Sequence, residues 1–123
     1  MKKVLVVDDS TTMRRMVMAA LGAVGGVSFE QAATGLEAIE RVTLSRVDLV
    51  VLDLNMPDVH GFEVLSFIRQ QPALAGLPVV ILTTRGDDAS RTAAAEAGAT
   101  MYLTKPFHPS EFASQVRQLF ADG

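Results

Sequence analysis

Five short apolar runs, rich in β-branched residues or leucine, recur along this 123-residue chain, and the stretches between them carry helical periodicity. That alternation constrains the fold more than any other feature. The first run is Val4 to Val7. After it Met13, Met16, Val17, Ala20 and Leu21 fall at i, i+3, i+4, i+7 and i+8, one stripe of a helix. Ser10, Thr11 and Thr12 offer N-caps, and Gly22, Gly25 and Gly26 end the helix. Val27 to Ala32 reads as a second strand and Gly35 to Leu44 as a helix. A third strand over Val47 to Leu52 precedes a helix over Gly61 to Gln70. Pro78 to Thr83, an Ala-rich helix over Asp87 to Ala97, and Thr100 to Thr104 complete the series. Pro109 suits the first turn of a last helix, in which Phe112, Val116, Leu119 and Phe120 share one face.

The third run is apolar without interruption after Asp48, so it lacks the in-out alternation of a one-sided sheet. A strand of that kind is covered on both faces, as the central strands of parallel sheets are. Right-handed helical crossovers then give an open α/β sheet with helices on both faces, and ligands bind outside the carboxyl ends of its strands. No repeat, linker or low-complexity tract interrupts the pattern, which predicts one domain over residues 1–123.

Composition narrows the chemistry. With no cysteine, thiol nucleophiles, thiolate metal sites and disulfides are excluded, in keeping with a reducing cytosol. A net charge of −3 with dispersed lysine and arginine leaves no electrostatic footprint for nucleic acid or an anionic membrane. The amino-terminal apolar run ends at Asp8, short of the roughly 7 to 15 residues of a secretory core. No stretch approaches the ~20 apolar residues that span a bilayer, and a cytoplasmic protein is expected.

The carboxyl ends of the predicted strands carry a short set of polar groups: Asp8 and Asp9 after the first, Asp53 and Asn55 after the third, Thr83 and Thr84 after the fourth, and Lys105 after the fifth. Each alone has an ordinary structural explanation. Asp8-Asp9-Ser10 could cap a helix, Asp53 a turn, Thr83 could be a strand former, and Lys105 a solvated strand end. Together they place three carboxylates, hydroxyls and an amine around one crevice. Clustered carboxylates repel unless a cation neutralises them, and an all-oxygen donor set suits Mg²⁺, with Mn²⁺ as a substitute. Such a constellation matches phosphoryl transfer, with a carboxylate as nucleophile. Asp53 is the preferred nucleophile because it ends the central strand at a turn running through Leu54, Asn55, Met56 and Pro57 to Gly61. Asp8 and Asp9 would hold the metal.

Val6-Val7-Asp8-Asp9-Ser10, Leu52-Asp53-Leu54-Asn55-Met56-Pro57 with Gly61, Leu82-Thr83-Thr84 and Lys105-Pro106-Phe107 resemble, in order and spacing, the motifs of the response-regulator receiver domain. The resemblance spans essentially the whole chain. Asp9-Ser10-Thr11-Thr12-Met13-Arg14-Arg15-Met16 is most similar to the single-domain chemotaxis regulators of that family. The resemblance implies a flavodoxin-like fold, a five-stranded parallel sheet of order 2-1-3-4-5, and a role in two-component signalling rather than turnover of a substrate. It implies Asp53 as phosphoacceptor, a histidine kinase as phosphodonor, a downstream target protein such as the flagellar motor switch, and a phosphatase.

It further implies Asp9 and Asp53 as direct Mg²⁺ ligands, the Asn55 backbone carbonyl as a third, and Asp8 acting through water. Lys105 would pair with phosphoryl oxygens, and its bond to Pro106 would be cis. Thr83 would be the switch hydroxyl and Tyr102 the aromatic that moves with it, although Tyr102 also reads as a half-buried aromatic on a terminal strand. Thr84 is bulkier than the small residue often found beside the switch hydroxyl. Arg85, Asp88 and Arg91 make the start of the fourth helix unlike a motor-binding surface. Arg14 and Arg15 read as solvated helix positions, with a partner role implied by the matching pattern in chemotaxis regulators, and Met13, Met16 and Met18 as helix or core filling.

Three other readings compete. A haloacid dehalogenase-type phosphatase needs an Asp-x-Asp nucleophile motif, which Asp8-Asp9-Ser10 breaks. A flavin module would find its phosphate repelled by Asp8 and Asp9. A receiver excised from a longer regulator, or one serving a phosphorelay outside chemotaxis, shares every motif above.

Overall fold

The computed structural model describes residues 1–122. Its elements alternate as β1 (Lys2–Val7), α1 (Thr11–Gly22), β2 (Val27–Ala32), α2 (Gly35–Leu44), β3 (Leu49–Leu52), α3 (Gly61–Gln70), a short 3₁₀ turn (Pro72–Leu74), β4 (Val79–Thr83), α4 (Asp88–Glu96), β5 (Met101–Thr104) and α5 (Pro109–Asp122). All neighbouring strands pair in parallel, in the order β2-β1-β3-β4-β5. The expected α/β sheet with helices on both faces is present.

The period-2 geometry of a strand divides the apolar runs between two cores. Leu5, Val7, Val50, Leu52, Val79 and Ile81 face one layer, where Ala38, Val42, Val64, Leu65, Ile68 and Ala94 from α2, α3 and α4 pack on them. Val4, Val6, Leu49, Val51, Val80 and Leu82 face the other, against Val17, Leu21, Phe112 and Val116 from α1 and α5. This two-sided burial is why β1, β3 and β4 read as unbroken apolar runs. β5, an edge strand, is half-buried throughout.

Caps fix where the helices begin. Ser10 Oγ accepts the Met13 N–H, Thr34 Oγ1 the Glu37 N–H, His60 Nδ1 the Phe62 N–H and Asp87 the Ser90 N–H. Of the three residues predicted as candidate caps for α1, Ser10 serves. Gly25 and Gly26 turn the chain into β2 with φ of 80° and 66°, a left-handed conformation that suits glycine. Four strand starts differ from expectation, β4 beginning at Val79 rather than Pro78 and β5 at Met101 rather than Thr100. Lys2 and Lys3 join β1 because they pair with Val27 and Ser28 of β2. Val47 and Asp48 lie outside β3, where the Asp48 carboxylate accepts the Lys3 N–H at 2.8 Å. The other methionines of α1 pack inward, but Met16 is 48% exposed and lies beside Phe107, Pro109 and Ala113.

The 3₁₀ turn had no signal in the apolar pattern. Arg69, at the end of α3, ties it to the sheet: Nη1 donates to the Leu77 carbonyl at 2.6 Å and to that of Ala75 at 3.2 Å, and Nε to the Gly98 carbonyl at 2.9 Å. Burial lowers the pKa of this guanidinium.

Candidate functional site

Because all five strands run the same way, their carboxyl ends form one edge, and the strand order sets the tips of β1, β3, β4 and β5 side by side. Asp8 and Asp9 leave β1, Asp53 leaves β3, Thr83 ends β4 and Lys105 follows β5. Asp8, Asp53 and Thr83 are buried, at 4%, 6% and 0% exposure, whereas Asp9 is exposed. The structure brings together these predicted residues from four strands.

One oxygen from each of Asp8, Asp9 and Asp53 lies within 4.8 Å of the others. Lys105 Nζ stands between two of them, 2.7 Å from Asp8 Oδ2 and 3.5 Å from Asp53 Oδ2. The Lys105–Pro106 peptide is cis. The pKa of Asp53 is raised above the usual carboxylate range. Burial is the largest cause and the neighbouring Asp8 charge adds to it, against the opposing pull of Lys105 and of the Asn55 N–H. One ammonium faces three carboxyl groups. Three converging carboxylates, one of them exposed and open to solvent, are a donor set that fits a hard divalent cation.

The turn after Asp53 is tightly specified. The Asn55 N–H donates to Asp53 Oδ1 at 3.3 Å, and the Gly61 N–H to the Leu54 carbonyl at 3.0 Å. A Cβ on Gly61 would come within 2.6 Å of both the Asp53 carbonyl oxygen and Leu54 Cα, so only glycine lets α3 start this close to the site. Asp58, farther along the same loop, accepts the Gly35 and Leu36 N–H groups at the start of α2. Those bonds hold its carboxyl below the usual range.

Thr83 faces the same crevice. Its Oγ1 receives the Arg85 N–H at 3.4 Å, and the Asn55 side-chain amide reaches to 3.5 Å. Tyr102 is half-buried and its hydroxyl donates to the Arg85 carbonyl, while the Arg91 guanidinium lies 5.0 Å above its ring. Thr84 is exposed beside the site.

Arg14 departs from its expected solvated position. Its Nη1 donates to the Asp8 backbone carbonyl at 2.6 Å, and its Nε to Gln31 Oε1 at 2.9 Å. Both partners are fixed by tertiary placement, so the only sequence signal was an arginine one turn into the helix that follows two aspartates. Arg15 is exposed as expected.

A profile of the response regulator receiver domain matches residues 4–117. A chemotaxis protein CheY homolog of Campylobacter jejuni is 33% identical over 122 residues, which cover 98% of this chain and 94% of that protein. A probable transcriptional regulator ycf27 of Cyanophora paradoxa is 38% identical over 118 residues, covering 96% of this chain. The chain spans about half the length of that relative, 48% of it being covered. Among solved structures, the chemotaxis response regulator CheY4 of Vibrio cholerae superposes with a TM-score of 0.88 at 35% identity, over 97% of this chain and 98% of that one.

Proposed function

This chain belongs to the response regulator receiver domain family of two-component systems, and on that premise we propose that residues 1–123 form a single receiver domain that accepts a phosphoryl group on Asp53. The observation that carries the reading is the convergence of Asp8, Asp9 and Asp53 around Lys105 at one sheet edge. Receiver domains in general bind Mg²⁺ at such an acidic pocket. Here Asp8, Asp9, Asp53 and the Asn55 backbone carbonyl would hold it, with Mn²⁺ as a substitute. When bound, the cation supplies positive charge that offsets the carboxylates and the phosphoryl oxygens.

A carboxylate oxygen of Asp53 attacks the phosphorus of a phosphohistidine on the kinase. The new bond is an acyl phosphate P–O bond, and the bond from phosphorus to the imidazole nitrogen breaks with its electron pair on nitrogen. The turn between Asp53 and Gly61 holds the nucleophile at the crevice, which limits the orientations it must search. Lys105 Nζ, within reach of both Asp8 and Asp53, stabilises charge gathering on the transferred oxygens. The Thr83 hydroxyl keeps its own proton free, since the Arg85 N–H donates to it, and can turn that proton toward the new phosphoryl group. Turning the hydroxyl disturbs Arg85, whose carbonyl holds Tyr102. The target-binding surface around Tyr102 is thereby switched.

The assigned partners are a histidine kinase, a phosphatase and a downstream protein. Similarity to the Campylobacter CheY homolog along nearly all of both chains supports a chemotaxis output, for which the flagellar motor switch is the proposed target. The ycf27 relative supports a second reading, a receiver that controls a further domain in another pathway. No helix of the described residues is long and apolar enough to cross a membrane, and a cytoplasmic site of action, with no direct nucleic-acid contact, accompanies both readings.

The test is incubation with acetyl phosphate and Mg²⁺. One phosphoryl group should be added, read as an acid-stable, base-labile mass increase that Asp53→Asn abolishes. The same increase in the Asp53→Asn protein would move the phosphoacceptor elsewhere.

A further inference from the structure

We propose that Arg14 is a positioning residue for the divalent-cation site, setting the direction of the Asp9 carboxylate through the peptide that joins Asp8 to Asp9. The inference rests on the reading of the acidic cluster as a cation site.

The guanidinium reaches three anchors on three parts of the fold. Nη1 donates to the Asp8 carbonyl at 2.6 Å, Nε to Gln31 Oε1 on β2 at 2.9 Å, and Nη2 to Thr11 Oγ1 at 3.2 Å in the first turn of α1. A planar fork with fixed donor directions can hold all three at once, which a lysine ammonium on a flexible stem cannot reproduce. The charged donor also makes the bond to the Asp8 carbonyl a strong one.

Asp8 and Asp9 are held differently. The Asp8 N–H donates to the Ala32 carbonyl, Oδ1 accepts the Ser10 N–H at 2.9 Å and Oδ2 accepts from Lys105. Asp8 is thus fixed on every side. Asp9 is exposed, and its carboxylate has no hydrogen bond or ion pair among the described residues. What the fold controls in Asp9 is the backbone that sets the direction of its Cα–Cβ bond. The peptide plane that leads into it carries the carbonyl that Arg14 grips, so the arginine transmits the position of β2 and α1 to a candidate metal ligand. Partners of this kind orient metal ligands elsewhere and are felt in metal affinity.

A positive charge near the cluster also opposes a second cation, which acts against the orienting effect. Arg14→Lys separates the two, because it keeps the charge and loses the fork. Wild type, Arg14→Ala, Arg14→Lys and Gln31→Ala are titrated with Mg²⁺ and with Mn²⁺ alone by calorimetry, and their phosphorylation by acetyl phosphate is followed against Mg²⁺ concentration. Both Arg14 variants should bind metal roughly tenfold more weakly. The half-saturating Mg²⁺ for phosphorylation should rise by the same factor while the rate at saturating Mg²⁺ is retained. Gln31→Ala, which removes only the far anchor and leaves α1 untouched, should shift affinity in the same direction by a smaller factor. It decides the matter if the Arg14 variants do not fold. Wild-type metal affinity in Arg14→Lys, tighter binding in Arg14→Ala, or an unchanged Gln31→Ala would each overturn the role of Arg14. Failure of the wild type to bind either ion would instead overturn the cation site itself.

Discussion

Lys105 and Asp8 meet at 2.7 Å, while the same ammonium stands 3.5 Å from Asp53. The amine is thus anchored at the end of β1 and leans toward the end of β3. Lys105 therefore compensates two carboxylates that are almost fully buried. Lys105→Ala should lower stability by about 2 kcal/mol in EDTA, the cost of stripping a charged partner from such groups. Added Mg²⁺ should recover most of the loss. Melting curves with and without metal decide this, and equal destabilisation in both conditions would contradict the assignment.

Asp53 is a carboxylate whose folded pKa lies above its unfolded value, chiefly because it is buried. Between those two values the folded state binds more protons than the unfolded one, so metal-free stability falls as pH rises through the folded pKa and is regained as pH drops through it. Asp53→Asn removes that dependence and should stabilise the metal-free protein at neutral pH by on the order of 1 kcal/mol, about 4 °C. Urea denaturation in EDTA at a series of pH values, wild type against variant, gives the comparison. A variant less stable than wild type at pH 8 would argue against a buried, destabilising charge.

Gly61→Ala tests how Asp53, the proposed phosphoacceptor, is held. The added methyl would meet two backbone atoms at 2.6 Å, and backbone cannot step aside as a flexible side chain can. Overpacking of this kind costs about 1 to 3 kcal/mol, and relief would come by displacing the Asp53–Leu54 backbone that follows β3. The variant should melt lower and take up phosphate from acetyl phosphate far more slowly. A folded variant with wild-type uptake would show that the close approach is incidental.

Thr83 and Tyr102 share the backbone of Arg85, the first through its N–H and the second through its carbonyl. Thr83→Ala and Tyr102→Phe should both permit phosphorylation at Asp53 and blunt the phosphorylation-dependent change in target binding. Because both residues are tied to the backbone of the same residue, Arg85, the double variant should lose little more than either single one, a coupling of about 1 kcal/mol in a double-mutant cycle. Strict additivity of the two losses would place them on separate routes.

Much of this architecture was written in the order of residues. The helices Gly35–Leu44 and Gly61–Gln70 and the strand Val27–Ala32 begin and end where apolar spacing and caps place them, since those signals are local. That Asp8, Asp9, Asp53, Thr83 and Lys105 gather at one sheet edge was equally legible, because in a parallel α/β sheet the tip of each strand is a defined place and tips of neighbouring strands converge. By itself, then, the sequence determined the alternation of elements, the two-sided burial of the central strands and the chemical groups at their ends. Tertiary structure alone decided that Lys2 and Lys3 extend β1, that Lys105 sits nearer Asp8 than Asp53, and that Arg14 grips the Asp8 carbonyl from α1 while reaching Gln31 on β2. The strand pairing, the lysine and the reach to Gln31 depend on the distance between segments remote in the chain, and the bond to Asp8 on how α1 turns back on the end of β1. Periodicity reports which face a residue presents, but only packing sets what that face will meet.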